Sequence, residues 1–115
     1  MDVTKIQHDL EQFAEERDWN QFHSPKNLAM AFSVEASELL EHFQWLTPEQ
    51  SATLEKATME AISSEIADVQ IYLLRLADKL GIDIKSAVEA KMKENQAKYP
   101  ADRVRGSAAK YTEYE

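Results

Sequence analysis

Residues 24–46, SPKNLAMAFSVEASELLEHFQWL, decide the fold class. The segment opens on Ser-Pro, where a hydroxyl can cap a helix and proline fits the first turn. Its large apolar residues recur at about 3.6 residues, the period of an amphipathic helix, and not at the period of about two that is typical of a strand. They are Leu28, Phe32, Leu39, Phe43 and Leu46. The pattern predicts a helix from Pro25 to about Trp45.

The same period extends over most of the remaining chain. It predicts a first helix over residues 3–17, a third helical region from the capping box TPEQ (47–50) to Leu80 with a break near 57–58, and a fourth helix from Asp83 to about Lys98. Gly81 is predicted to end the third region, and Tyr99-Pro100 the fourth helix. Four amphipathic helices predict an all-α, four-helix bundle in one domain over 1–115, with a core at about 3–99 and a short C-terminal tail at 100–115.

Composition excludes several classes of protein. The 115 residues include 13 Lys and Arg against 21 Asp and Glu, a net charge of −8, which disfavours a nucleic-acid binder that needs clustered cations. Without cysteine there is no disulfide framework and no thiolate metal site. The start, MDVTKIQHDLEQF, lacks an apolar signal segment, and no apolar run reaches the roughly 18 residues of a membrane span. We therefore expect a cytoplasmic protein that binds neither nucleic acid nor membrane, with a modest core that favours oligomerisation.

Carboxylates interrupt the apolar stripes of the second and third helices. At about 100° per residue, Glu35 falls about 20° from Leu28, inside the stripe, and Glu38 lies on its flank. Glu65 and Asp68 lie beside the stripe of the third helix, which contains Ile62, Ile66, Val69, Leu73, Leu76 and Leu80. Each helix thus presents two acids one turn apart on a largely buried side.

Buried carboxylates are costly unless they are protonated, paired or bound to a cation. Four of them on facing helices would form an oxygen-only cluster that suits Mg²⁺, or alternatively Mn²⁺, better than zinc. Neither the Glu-x-x-His pairs of a di-iron site nor a zinc-ligand spacing of His8, His23 and His42 is present. The alternative interpretation is that the acids are solvated edges of ordinary amphipathic helices.

A polar set lies on one face of the fourth helix. Lys91, Asn95 and Lys98 are spaced i, i+4, i+7, and two cations with an amide can hold phosphate oxygens. The alternative is an ordinary solvated helix face.

Aromatic residues gather around the second helix. Trp19, Phe22 and His23 precede it, and Trp45 ends it. On the third helix, the direction of Tyr72 around the helix axis falls between those of Glu65 and Asp68. Such rings can stack on a nucleobase or can instead plug the end of the bundle.

Several motifs together resemble the all-α nucleoside triphosphate pyrophosphohydrolases of the MazG-like superfamily, and most closely the dCTP pyrophosphatase subgroup. The match spans about Trp19 to the C-terminus. It rests on WNQFHSPKNLAMAFSVEASELLEHFQW (19–45), EIADVQIYLLRLADKLGID (65–83), KMKENQAKYP (91–100) and RGSAAKYTE (105–113). The paired ExxE and ExxD blocks carry the superfamily resemblance, and KxxxN, KYP and KYTE carry the subgroup.

The resemblance implies a Mg²⁺-dependent enzyme that hydrolyses a nucleoside triphosphate to the monophosphate and pyrophosphate in nucleotide-pool housecleaning. It implies a homodimer, or a tetramer built as a dimer of dimers. By motif position, the resemblance implies that the metal ligands are Glu35, Glu38, Glu65 and Asp68. It implies that phosphate is bound by Lys91, Asn95 and Lys98. It implies that the base pocket is formed by Trp19, His23 and Trp45, with Tyr72 near the sugar.

Two questions stay open on the sequence alone. The resemblance favours dCTP or a modified cytosine nucleotide, but dATP, dUTP or an oxidised purine nucleotide would use the same chemistry, since pocket shape decides base choice. A protein of another class, a non-catalytic helical interaction module with solvated acids, is the main alternative. Among the acids, Glu38 is the candidate general base because it lies on the flank of its stripe.

Overall fold

The structure, a computed structural model, describes residues 1–108, and the KYTE motif at 110–113 lies outside them. Within that range all regular structure is helical, with four long helices, which confirms the all-α fold class. The helices are α1 (Val3–Glu16), α2 (Pro25–Glu41), α3 (Pro48–Ser51), α4 (Lys56–Leu80), α5 (Ile84–Lys98) and α6 (Ala101–Val104), with a 3₁₀ turn at Asn20–Phe22.

Side-chain caps fix the starts of three helices as the sequence predicted. The side chains of Ser24, Thr47 and Asp83 each accept a hydrogen bond from the backbone N–H three residues ahead, at 3.1, 3.1 and 3.0 Å. At Thr47 the cap is reciprocal, because Gln50 accepts from the Thr47 N–H at 2.9 Å. Each cap satisfies a backbone donor that the first helical turn leaves free.

The third helical region is interrupted earlier than the predicted 57–58. α3 ends at Ser51, and α4 begins at Lys56 after Glu55, whose ψ of 155° is extended. Residues 52–55 contain neither glycine nor proline, so the sequence carries no local signal at that position. Gly81 ends α4 with φ of 67°, the left-handed conformation that glycine adopts without steric cost.

The described chain divides into two compact units, Met1–Gly81 and the residues from Ile82 onward. The single-domain organisation stays a prediction. In the first unit α4 packs extensively against α2 and less extensively against α1. Its buried apolar residues are Ala14, Leu28, Ile62, Leu74 and Ala77.

One apolar face of α4 remains partly exposed. Met59, Ile66, Leu73 and Leu80, spaced seven residues apart and here termed the α4 stripe, are between 38% and 53% exposed. Apolar periodicity predicts that Ile66, Leu73 and Leu80 belong to a buried stripe. Ile62, Leu74 and Ala77 lie along the same stretch of α4 and are buried, so the difference arises because the packing of α1 and α2 leaves one side of α4 only partly covered.

The second unit contains α5 and α6. α5 ends at Lys98, as predicted, and Tyr99-Pro100 separates it from the four-residue α6, in the segment predicted as an irregular tail. Pro100 at the N-cap has φ of −58°, and Asp102 lies in the first turn, where a negative charge favours helix formation. Apolar periodicity cannot detect a helix of a single turn.

No helix over residues 1–108 combines the length and apolar character that crossing a bilayer requires.

Candidate active site

Three carboxylates meet where α2 packs against α4. Glu35 and Glu38 lie one turn apart on α2, and Glu65 lies on α4. One carboxylate oxygen from each lies within 4.8 Å of the other two. The convergence predicted for these three acids is therefore present, and they are termed the acid cluster below.

The acid cluster holds more negative charge than its surroundings compensate. Glu35 Oε2 and Glu65 Oε2 are buried and have no hydrogen-bond partner among the described residues. Burial raises the pKa of Glu35 to about 7, and the neighbouring carboxylates of Glu38 and Glu65 add to the shift. The cluster thus favours binding either a proton or a cation.

A hard divalent cation fits this donor set. All three ligating groups are carboxylates, which Mg²⁺ and Mn²⁺ prefer, and no thiolate or imidazole joins them as zinc sites usually require. The two unpartnered buried oxygens are the kind of acceptors that a cation would satisfy. Glu35, Glu38 and Glu65 are therefore the residues that could hold a metal ion.

Asp68, the fourth predicted ligand, lies next to the acid cluster without joining it. Its charge contributes to the raised pKa of Glu35, after burial and the closer glutamates. Its side chain lines a neighbouring cavity instead. Asp68 thus lies near the acid cluster and lines the adjacent cavity.

The cavity lies in the first unit, between α1, the 3₁₀ turn and α4, and has a volume of about 270 Å³. Trp19 and His23, two of the residues predicted to form a base pocket, line it, and so does Tyr72, which was predicted to lie near the sugar. Trp19 packs edge-to-face on Phe13, with ring centroids 5.6 Å apart. The complete lining is Leu10, Phe13, Ala14, Trp19, His23, Asp68, Ile71, Tyr72 and Arg75. Aromatic side chains beside Asp68 and Arg75 can accommodate a planar heterocycle.

Trp45 is not part of this cavity. It lies in the turn after α2 and is 86% exposed. α2 ends at Glu41, four residues before the predicted end, so Trp45 falls outside the helix that was expected to position it. Its role in binding the base stays a prediction.

Sequence reasoning missed Arg75. This α4 residue is only 2% exposed, and its guanidinium pairs with Glu11 of α1 and donates to Asn20 Oδ1 at 2.9 Å. The Arg75 hydrogen bond is the main cause that lowers the pKa of Glu11. An arginine seven residues after Asp68 and three after Tyr72 shares their side of α4, a signal in the sequence that periodicity of apolar residues alone overlooks.

Another α5 residue modifies the predicted phosphate-binding set. Glu94 accepts from Lys91 and Lys98 Nζ, each at 2.8 Å, and these hydrogen bonds lower the pKa of Glu94 to about 2. Asn95 is exposed on the same helix. The two predicted phosphate-binding cations thus share one carboxylate, so an incoming anion would compete with Glu94 for them.

Comparisons with known proteins identify the family of this chain. The profile of the MazG-like family matches residues 30–114. dCTP pyrophosphatase 1 of Homo sapiens is 45% identical over 107 residues, covering 89% of this chain and 61% of that protein. The Bos taurus protein of the same name is 43% identical over 104 residues, covering 89% of this chain and 62% of its own length. The chain therefore spans about three fifths of the length of these curated relatives.

A solved structure is also similar to this chain. A crystal structure of a pyrophosphatase from Archaeoglobus fulgidus superposes with a TM-score of 0.71 at 38% identity and covers 87% of this chain and 94% of that one. The resemblance drawn from the motifs is thus confirmed by both sequence and fold. With a family profile matching most of its length, this chain belongs to the MazG-like family.

Proposed function

We propose that this protein is a nucleoside triphosphate pyrophosphohydrolase that cleaves a deoxynucleoside triphosphate to the monophosphate and pyrophosphate, with Mg²⁺, or alternatively Mn²⁺, as cofactor. The observation that carries the proposal is the acid cluster, whose oxygens lie within 4.8 Å of one another on two packed helices. The 45% identity to human dCTP pyrophosphatase 1 supports the same activity.

The acidic residues are proposed to bind the metal ion. Glu35, Glu38 and Glu65, with Asp68 as the fourth ligand implied by the resemblance, would hold the divalent cation. When bound, the cation supplies positive charge against the phosphate oxygens. This explains how a chain of net charge −8 could bind a polyanion.

The reaction itself is a substitution at phosphorus. A water oxygen bonds to the α phosphorus, the bond from that phosphorus to the α–β bridging oxygen breaks, and pyrophosphate leaves. Glu38 is the proposed general base that accepts the water proton. Lys91, Asn95 and Lys98 are proposed to bind phosphate oxygens and to stabilise the charge of the leaving group.

The base would occupy the aromatic cavity. Trp19 and His23 line it, with Tyr72 proposed to lie near the sugar. We favour dCTP or a modified cytosine nucleotide, because the curated relatives are dCTP pyrophosphatases. The same site chemistry on dATP, dUTP or an oxidised purine nucleotide is the alternative.

A substrate panel tests this function. The purified chain is incubated with Mg²⁺ and each of the four standard dNTPs, dUTP, 5-methyl-dCTP and 8-oxo-dGTP, and pyrophosphate and orthophosphate are quantified separately. We expect equimolar monophosphate and pyrophosphate, with a cytosine nucleotide as the best substrate. Orthophosphate as the first product, or no turnover of any nucleotide, would contradict the proposal.

A homodimer or a dimer of dimers is part of the same proposal. The partly exposed α4 stripe offers a continuous apolar surface for association with a second copy. Housecleaning of the nucleotide pool in the cytoplasm remains a prediction.

A further inference from the structure

The ring of His23 is held by an arginine and not by a carboxylate. His23 follows the 3₁₀ turn Asn20–Phe22 and lines the aromatic cavity. Its Nδ1 lies 3.0 Å from a terminal guanidinium nitrogen of Arg75. The other ring nitrogen, Nε2, has no hydrogen-bond partner among residues 1–108.

This contact determines where the imidazole carries its proton. Guanidinium is always charged at physiological pH and can only donate hydrogen bonds, so His23 Nδ1 must accept. A ring whose Nδ1 accepts is neutral and bears its hydrogen on Nε2. His23 therefore presents an N–H donor at Nε2.

The surrounding charges reinforce the neutral form. Burial, followed by the charges of Arg75 and Lys79 on α4, lowers the pKa of His23, and Glu11 of α1 opposes them with a smaller effect. Asp68 and Tyr72 are the other titratable groups that line the cavity.

Arg75 itself is held by two different parts of the first unit. It pairs with Glu11 of α1 and donates to Asn20 of the 3₁₀ turn. Lys79 also donates to Asn20 Oδ1, at 3.1 Å. Asn20 in turn donates to Glu11 at 2.9 Å. A buried, forked guanidinium with its partners fixed leaves little freedom to the ring that it contacts.

We propose that Arg75 is a positioning residue that fixes His23 in the neutral tautomer with the proton on Nε2, so that His23 donates a hydrogen bond to an acceptor of a heterocycle bound in the cavity. The acceptor is a ring carbonyl oxygen or an imine nitrogen, both of which a pyrimidine base offers. The part concerning the tautomer stands independently, whereas the part concerning the base depends on the proposed function.

Nitrogen NMR of the wild-type protein without ligand tests the tautomer directly. Long-range ¹H–¹⁵N correlation of the imidazoles distinguishes a protonated Nε2 from a protonated Nδ1, with His23→Gln used to assign the signal and the exposed His8 as internal reference. We expect a single neutral tautomer of His23 with an unprotonated Nδ1 at pH 7 to 8. A protonated Nδ1, or a doubly protonated ring at pH 7, would overturn the proposal.

The donor role is tested by a pair of substitutions at His23. Glutamine retains an N–H donor at about the distance of Nε2, whereas phenylalanine retains only the ring. We expect His23→Phe to raise the KM of the best nucleotide about tenfold or more with kcat within about threefold, and His23→Gln to restore KM to within about threefold of wild type. Equal KM values for the two variants would refute the donor role.

Substitution of Arg75 separates positioning from general stabilisation. In Arg75→Met the guanidinium that contacts Nδ1 and helps to lower the pKa of His23 is lost, so we expect the pH dependence of KM to move to higher pH than in the wild type. Lys56→Met, at the exposed start of α4, is the matched loss of charge and should leave the pH profile as in the wild type. If Arg75→Met does not fold, the NMR measurement still decides the tautomer of His23, and Arg75→Lys, which keeps the charge but loses the forked guanidinium, replaces Arg75→Met in the test of positioning.

The two proposals fail in different ways. If no nucleotide is hydrolysed, the proposed function and the base-recognition role are refuted, while the NMR result continues to decide whether His23 holds the neutral tautomer with the proton on Nε2. If nucleotides are hydrolysed but Nδ1 is protonated, the function stands and the positioning role of Arg75 does not.

Discussion

Glu38 is the residue on which the proposed chemistry depends most directly. It belongs to the acid cluster, and it lies one turn beyond Glu35 on the flank of the apolar stripe of α2. A carboxylate on a flank can both bind a cation and exchange a proton with a water molecule, whereas a more enclosed carboxylate is suited only to holding charge in place.

We expect Glu38→Gln to lower kcat by about 10²-fold or more, because the amide neither accepts a proton nor binds a cation as a carboxylate does. The fold should be unaffected, since the substitution is isosteric. Turnover is measured by pyrophosphate release, and helicity by circular dichroism. Glu41→Gln, an exposed change at the end of α2, is the matched control. A loss of only a few-fold in Glu38→Gln would remove this residue from the mechanism.

The raised pKa of Glu35 predicts how the stability of the fold depends on pH. Its folded pKa is raised from 4.5 to about 7, so between these values the unfolded chain releases a proton that the folded chain retains. The contribution of Glu35 to stability is therefore fully present below pH 4.5 and is lost as the pH rises toward 7. Without divalent cations, Glu35→Gln should melt above wild type by about 3–8 °C at pH 7, and the difference should shrink toward pH 4.5.

Thermal melts with and without millimolar Mg²⁺ check this result. Mass action predicts that the cation raises the melting temperature of wild type more than that of Glu35→Gln. A difference between the two proteins that is the same at pH 4.5 and pH 7 would contradict the assignment of the raised pKa to Glu35.

At the scale of elements, the positive charges of Lys91 and Lys98 on α5 are partly neutralised by Glu94. Glu94 sits between Lys91 and Lys98 with two 2.8 Å contacts, so the helix face has a weaker positive potential than its lysines alone suggest. Such exposed ion pairs contribute little to stability, and they exchange readily with other anions.

Glu94→Gln should therefore remove the carboxylate that competes with phosphate on this helix face and lower the KM of the nucleotide about twofold to fivefold at low ionic strength. Lys91→Met should raise KM in the same assay. Glu89→Gln, which removes the charge opposite Lys85 on the same helix, is the control. An unchanged KM in both Glu94→Gln and Lys91→Met would show that this face of α5 does not bind phosphate.

At the scale of the whole molecule, the α4 stripe predicts self-association. Four large apolar side chains on one face of a 25-residue helix are 38% to 53% exposed, and association with a second copy would cover them. We expect light scattering to give at least twice the chain mass of 13.2 kDa.

Leu73→Lys, at the middle of the stripe, should shift the mass toward the monomer, because a buried ammonium without a partner is costly. Ser64→Lys, an exposed change on the opposite side of α4, should not. Circular dichroism verifies that both variants remain helical. A wild-type protein that is monomeric at about 100 µM would refute the association.

Features that depend on neighbours within one or two turns were determined by the sequence itself. The caps at Ser24, Thr47 and Asp83 and the end of α4 at Gly81 occur as predicted, because the hydrogen bonds and backbone conformation involved are local. The repeated pairs of acids inside apolar stripes likewise pointed to the acid cluster, because a helical period fixes which side chains share a face.

Features that depend on how one helix is rotated and shifted against another were decided only by the tertiary structure. Arg75 and Glu11 pair across 64 residues, Asp68 turns toward the cavity beside the acid cluster, and Trp45 lies outside that cavity. No local pattern encodes these outcomes, because each requires side chains from separate elements to meet in space. The same is true of the α4 stripe, since its exposure depends on which side of α4 the helices α1 and α2 pack against.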